Sequence, residues 1–67
     1  MIKYKLDIVS ALDTAGYNPR KIRTEKLISE GTMSKIRRGD PISFTTIDTI
    51  CRLLNCQPGD LLEYVPD

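Results

Sequence analysis

Asn18-Pro19-Arg20-Lys21-Ile22-Arg23-Thr24-Glu25-Lys26-Leu27-Ile28-Ser29-Glu30-Gly31-Thr32-Met33-Ser34-Lys35-Ile36-Arg37-Arg38-Gly39 is the stretch on which the rest of the chain turns. Asn18-Pro19 reads as a helix start. Asparagine can accept a hydrogen bond from a first-turn amide, and proline at the first helical position gives up no needed donor. The residue before proline is also biased out of helical geometry, as a capping residue must be. Ser29 offers a second cap only ten residues beyond Pro19. The helix that Pro19 opens is therefore short, Leu27 and Ile28 lie in a turn, and another helix runs from Glu30 to about Arg38. Gly39-Asp40-Pro41 ends it, because glycine caps and proline cannot continue. Ile22, Ile28, Met33 and Ile36 mark the inner face of this helix–turn–helix. Plain core packing accounts for them equally well, so they locate a face rather than a function. Glu30, Gly31, Ser34, Lys35, Arg37 and Arg38 are left to solvent.

Working outward, a first helix is expected from about Lys5 to Ala15. Ile8, Leu12 and Ala15, with Leu6 and Val9 at the margins, form its apolar stripe, and Gly16 caps it in the left-handed region. A fourth helix carries Phe44, Ile47, Ile50, Cys51 and Leu54 on one face, broadened by Leu53. Ser43 caps it, and Ile42 can staple onto Ile47. Cys51 is then a small core hydrophobe, and Cys56 lies in the connection that follows. Pro58 opens a last short helix through Leu61 and Leu62, and Tyr64-Val65 ends extended. Met1-Ile2-Lys3-Tyr4 alternates and can be read as a short strand. The fold class is all-α, a compact five-helix domain with short extended termini, occupying residues 1–67 as a single unit.

The net charge of +1 conceals a sharp asymmetry. Up to Pro19, Lys3 and Lys5 cancel Asp7 and Asp13. Arg20, Lys21, Arg23, Lys26, Lys35, Arg37 and Arg38 then face only Glu25 and Glu30, a net of +5. From Gly39 onward Arg52 stands against Asp40, Asp48, Asp60, Glu63 and Asp67, a net of −4. A basic segment on one part of a small domain, turned away from an acidic remainder, suits a nucleic-acid face. A merely solvated charged surface would account for the basic stretch taken alone.

Other classes are poorly supported. There is no histidine, and the two cysteines, with no leader-like segment, read as reduced thiols of a cytoplasmic protein. That leaves no basis for a structural metal, a cofactor or a small-molecule site, and no nucleophile-and-base constellation for an enzyme. No run approaches the roughly 20 apolar residues of a membrane span.

If the third helix enters the major groove, its first turns meet base edges. Lys35 suits the O6 and N7 acceptors of guanine, and Glu30 can accept from a cytosine amino group. Gly31 would allow close backbone approach, at about 1 kcal/mol of helix propensity. The start of the second helix, with Arg20 and Lys21, would face a phosphate, and Arg38 with the loop after it would brace another.

Thr32-Met33-Ser34-Lys35-Ile36-Arg37-Arg38-Gly39 resembles the recognition-helix signature of phage-repressor-like, Cro-type (XRE) helix-turn-helix regulators. The tail from Leu53 to Val65 resembles the closing helix of small stand-alone members. The resemblance covers nearly the whole chain and implies a five-helix, lambda-repressor-like DNA-binding domain. It implies bases read from Glu30, Gly31 and Lys35, and phosphates held at positions matching Arg20, Ser29, Thr32 and Arg38. Two positions depart from the family pattern. Leu27 stands where a turn glycine is usual, and Arg23 where a small residue lets the two helices approach, so Arg23 must point outward or the crossing differs.

The expected activity is sequence-specific binding of double-stranded DNA by a transcriptional regulator, a repressor acting as a homodimer. Leu61, Leu62, Tyr64, Val65, Ile2 and Tyr4 are candidate dimer contacts, or alternatively close the monomer core, for instance as a small sheet. A protein-interaction module on the same fold, such as an antitoxin or accessory subunit, is the competing expectation; it would have no need of the +5 segment.

Overall fold

A computed structural model describes residues 1–66; Asp67, counted in the acidic tail, lies outside them. The order is β1 (Ile2–Tyr4), α1 (Ile8–Thr14), α2 (Pro19–Thr24), α3 (Glu30–Arg38), α4 (Phe44–Leu54), α5 (Pro58–Leu61) and β2 (Leu62–Tyr64). The core is wholly apolar: Ile8, Leu12, Ile22, Ile28, Met33, Ile36, Ile50 and Leu61 are buried. Leu12, Ile22 and Ile50 are the most fully enclosed. Burying each is worth about 1.5–3 kcal/mol relative to exposure.

Each of the first four helices begins on the side chain its sequence supplies. Asp7, Asn18, Ser29 and Ser43 accept from the amides of Ser10, Lys21, Thr32 and Thr46, respectively. The first helix is shorter than the periodicity suggested. Asp7 caps it, so Lys5 and Leu6 lie before it, and Leu6 is exposed.

The ends of the first four helices share one device, a left-handed residue followed by a backbone bond reaching back over the last turn. Gly16, Lys26, Gly39 and Asn55 take the positive φ. The next residue then donates backward: Tyr17 to the Leu12 carbonyl (2.7 Å), Leu27 to Ile22 (3.0 Å), Asp40 to Lys35 (2.8 Å) and Cys56 to Cys51 (3.0 Å). This corrects the expectation at the turn. Leu27 carries no positive φ; the strained position is Lys26, at +54°. Leu27 instead folds back half-buried against the core.

The all-α expectation is also corrected. β1 and β2 pair antiparallel, with Ile2 opposite Tyr64, Lys3 opposite Glu63 and Tyr4 opposite Leu62. The Met1 amino group donates to the Val65 carbonyl, and Lys5 N–H donates to the Leu61 carbonyl at 2.8 Å. Leu62 therefore belongs to a strand rather than to the last helix, and Leu61, buried in the core, is unavailable as a dimer contact. Tyr4 is half-buried, and its hydroxyl donates to the Asp40 carbonyl at 2.6 Å. That bond ties the sheet to the loop after α3. Burial, with Asp40 nearby, pushes the Tyr4 phenol up from its ordinary value.

Phe44 is the largest misplacement. It was expected on the inner face of α4 but is 90% exposed. It is the first residue of its helix, next to the Ser43 cap, and at 3.6 residues per turn it lies about a third of a turn round the helix from Ile50, the buried position of α4.

Candidate nucleic-acid interface

The basic segment folds into α2, a five-residue turn from Glu25 to Ser29, and α3. Ile22, Ile28, Met33 and Ile36 anchor this unit to the core from its inner side. With about 3.6 residues per turn, burial of Met33 and Ile36 sends Gly31, Ser34, Lys35 and Arg38 to the opposite face of α3. Gly31, Lys35 and Arg38 are exposed, and Ser34 is half-buried. Arg20 and Lys21, on α2, are exposed as well.

Several of these side chains already have partners within the chain. Arg23 does point outward, and its guanidinium reaches Glu30 across the turn at 3.5 Å. Arg38 Nε donates to Asp40 Oδ2 at 3.0 Å. Lys21 lies 3.9 Å from Glu25 and 5.3 Å from the Tyr17 ring centroid. All three ion pairs are well exposed, where such pairs contribute about 0–1 kcal/mol, so exchanging them for a phosphate costs little. Among the described residues, no ion pair engages Arg20, Lys35 or Arg37.

Ser29 and Thr32 serve the fold first. Ser29 Oγ accepts from the Thr32 amide at 3.2 Å and donates to Thr32 Oγ1 at 2.9 Å. Thr32 is half-buried, and its hydroxyl sits at the start of α3 beside the cap. Gly31 has no such internal reason. A Cβ built on it would meet nothing within 4 Å, and its backbone is ordinary helix. Nothing in the monomer requires a glycine there.

Ser34 and Arg37 line a cleft of about 260 Å³ between α2 and α3, together with Arg23 and Glu30. Positions 30, 34 and 37 share one helical face, so the spacing itself held that information. Among the described residues no cluster of metal-ligating side chains occurs, and no helix is long and apolar enough to cross a membrane.

Comparison with known proteins agrees with this geometry. The family model described as the Cro/C1-type HTH DNA-binding domain matches residues 9–67. The chain is similar to an uncharacterized HTH-type transcriptional regulator, YozG, of Bacillus subtilis (strain 168). The two are 40% identical over 42 residues, covering 60% of this chain and 50% of the relative. The chain thus aligns with about half the length of that curated relative. No solved structure matches.

Proposed function

We propose, from the premise that this chain belongs to the Cro/C1-type helix-turn-helix DNA-binding domain family, that it is a sequence-specific transcriptional repressor. It acts as a single DNA-binding module whose α3 lies in the major groove. Lys35 and Glu30 read base edges there, and Gly31 lets the helix backbone approach them. Arg20, Lys21 and Arg38 neutralise phosphates on either side of the groove, and Ser29 and Thr32 contribute hydroxyls at the start of α3. Two copies bind half-sites about one helical turn apart, because one module of this size covers a limited DNA interface. Repression follows from occupancy of the site alone. The observation that carries this reading is the outer face of α3: a glycine the fold does not need, on the same face as the exposed Lys35 and Arg38 of a net +5 segment.

Fluorescence anisotropy with duplex DNA across a salt series tests it. Binding should weaken steeply as salt rises, through release of counterions from the phosphates. Absence of binding even at low salt would overturn the proposal and favour the protein-interaction module. Lys35→Ala should relax sequence preference by about 1–3 kcal/mol at one base pair, whereas Arg20→Ala should weaken all duplexes alike. Uniform loss in both variants would remove Lys35 from the base-reading set.

A further inference from the structure

The C-terminus of α4 places the two cysteines of the chain against each other. Asn55 takes the left-handed conformation at φ +53°, and Cys56 N–H then bonds back to the Cys51 carbonyl at 3.0 Å. In this helix-ending geometry the two bonded residues turn their side chains toward one another. The same positions hold Leu12 with Tyr17 at the end of α1 and Ile22 with Leu27 at the end of α2, and all four pack in or against the core. At the end of α4 both positions are cysteine, half-buried and unbridged.

We infer that Cys51 and Cys56 form a dithiol site that closes to an intrachain disulfide when it meets a low-molecular-weight disulfide. Standard bond lengths through the 3.0 Å hydrogen bond limit the Cα separation to about 7.2 Å at full extension, and the bends at the carbonyl and the amide bring it below that, into the range a disulfide spans. Burial, and after it the neighbouring Cys51 thiol, pushes the Cys56 thiol up from its ordinary value. In the reaction one protein thiolate attacks a sulfur of the small disulfide and expels the first small thiolate, leaving a mixed disulfide. The second protein thiolate attacks the protein-bound sulfur of that bond and expels the second small thiolate. Two protein protons leave with the two small thiols, and two electrons pass from protein to oxidant.

The bond would lock the corner between α4 and α5. α5 supplies Leu61 to the core and leads directly into β2, so the lock bears on the closing segment of the fold. This inference is independent of the DNA-binding reading and concerns different residues.

The test is incubation of the full chain with oxidised glutathione, followed by alkylation, mass spectrometry and thermal unfolding. The expected product is a monomer lighter by two hydrogens, resistant to alkylation, with Cys51 joined to Cys56. Its thermal midpoint should rise by about 5 °C or more. Cys51→Ser and Cys56→Ser should each fold as the reduced chain does and show no oxidant-dependent rise. Persistent glutathione adducts on both cysteines, disulfide-linked dimers, or a lowered midpoint would overturn the inference. An equal rise in either serine variant would do the same.

Discussion

At the residue scale, Lys26 and Gly31 hold opposite backbone assignments within one short stretch. Lys26 sits at φ +54°, where a side chain costs about 1–2 kcal/mol and glycine costs nothing. Gly31 sits in ordinary helix, where alanine would be better by up to about 1 kcal/mol and its Cβ would meet no atom. The fold would prefer glycine at 26 and a side chain at 31. Lys26→Gly should raise stability by about 1 kcal/mol, seen as a higher denaturation midpoint. Gly31→Ala should also stabilise the free protein yet weaken DNA binding, because the added methyl occupies the face offered to the bases. Gly31→Ala with unchanged affinity and preference would show that no base approaches this backbone.

At the scale of elements, helix ends carry much of the organisation. α1 is only seven residues long, too short to persist on propensity alone, so its Asp7 cap and its buried stripe both matter. Hydrogen bonds from Ser10, chiefly from its backbone amide, hold the Asp7 carboxyl below its ordinary value. A lowered folded-state value means stability that is present above the unfolded pKa and lost as pH falls through the folded one. Stability should therefore decline as acid protonates Asp7, and Asp7→Asn, which keeps a capping oxygen, should flatten that part of the profile. Unfolding midpoints of both proteins from pH 6 down to about pH 3 check this. A parallel decline in the two proteins would remove Asp7 as the cause.

At the scale of the whole molecule, the sheet joins residues near the two ends of the described chain and leaves an apolar face beside it. Ile2 and Tyr64 are exposed on the sheet, and Phe44 stands out next to them, all three lining one groove with Ile42 and Ile47. In the proposed dimer this is the face that would pair two copies; relative to the candidate set it loses Leu61 to the core and gains Phe44. Phe44→Ser should change monomer stability by no more than about 0.5 kcal/mol, as expected for a surface position. It should weaken cooperative binding to paired half-sites while leaving single half-site affinity intact. Equal binding curves on paired sites would exclude Phe44 from a dimer contact.

Local chemistry decided α2, its turn and α3. Asn18-Pro19, Ser29 and Gly39 each act on amides or carbonyls within a few residues, so their effect is readable from the chain alone. The same holds for the basic segment and for the exposure of Gly31, Lys35 and Arg38. Tertiary structure alone decided which residue takes the strained conformation, because Lys26 and Leu27 exchange roles according to which side chain the core can bury. It also decided between the two uses open to the extended ends, a small sheet within the monomer or a dimer contact, because a pairing across some 60 positions leaves no local signature. The fate of Phe44 was settled the same way: helical spacing reports a shared face, but which flank of that face is covered depends on the elements packed against it, and here the cover centres on Ile50.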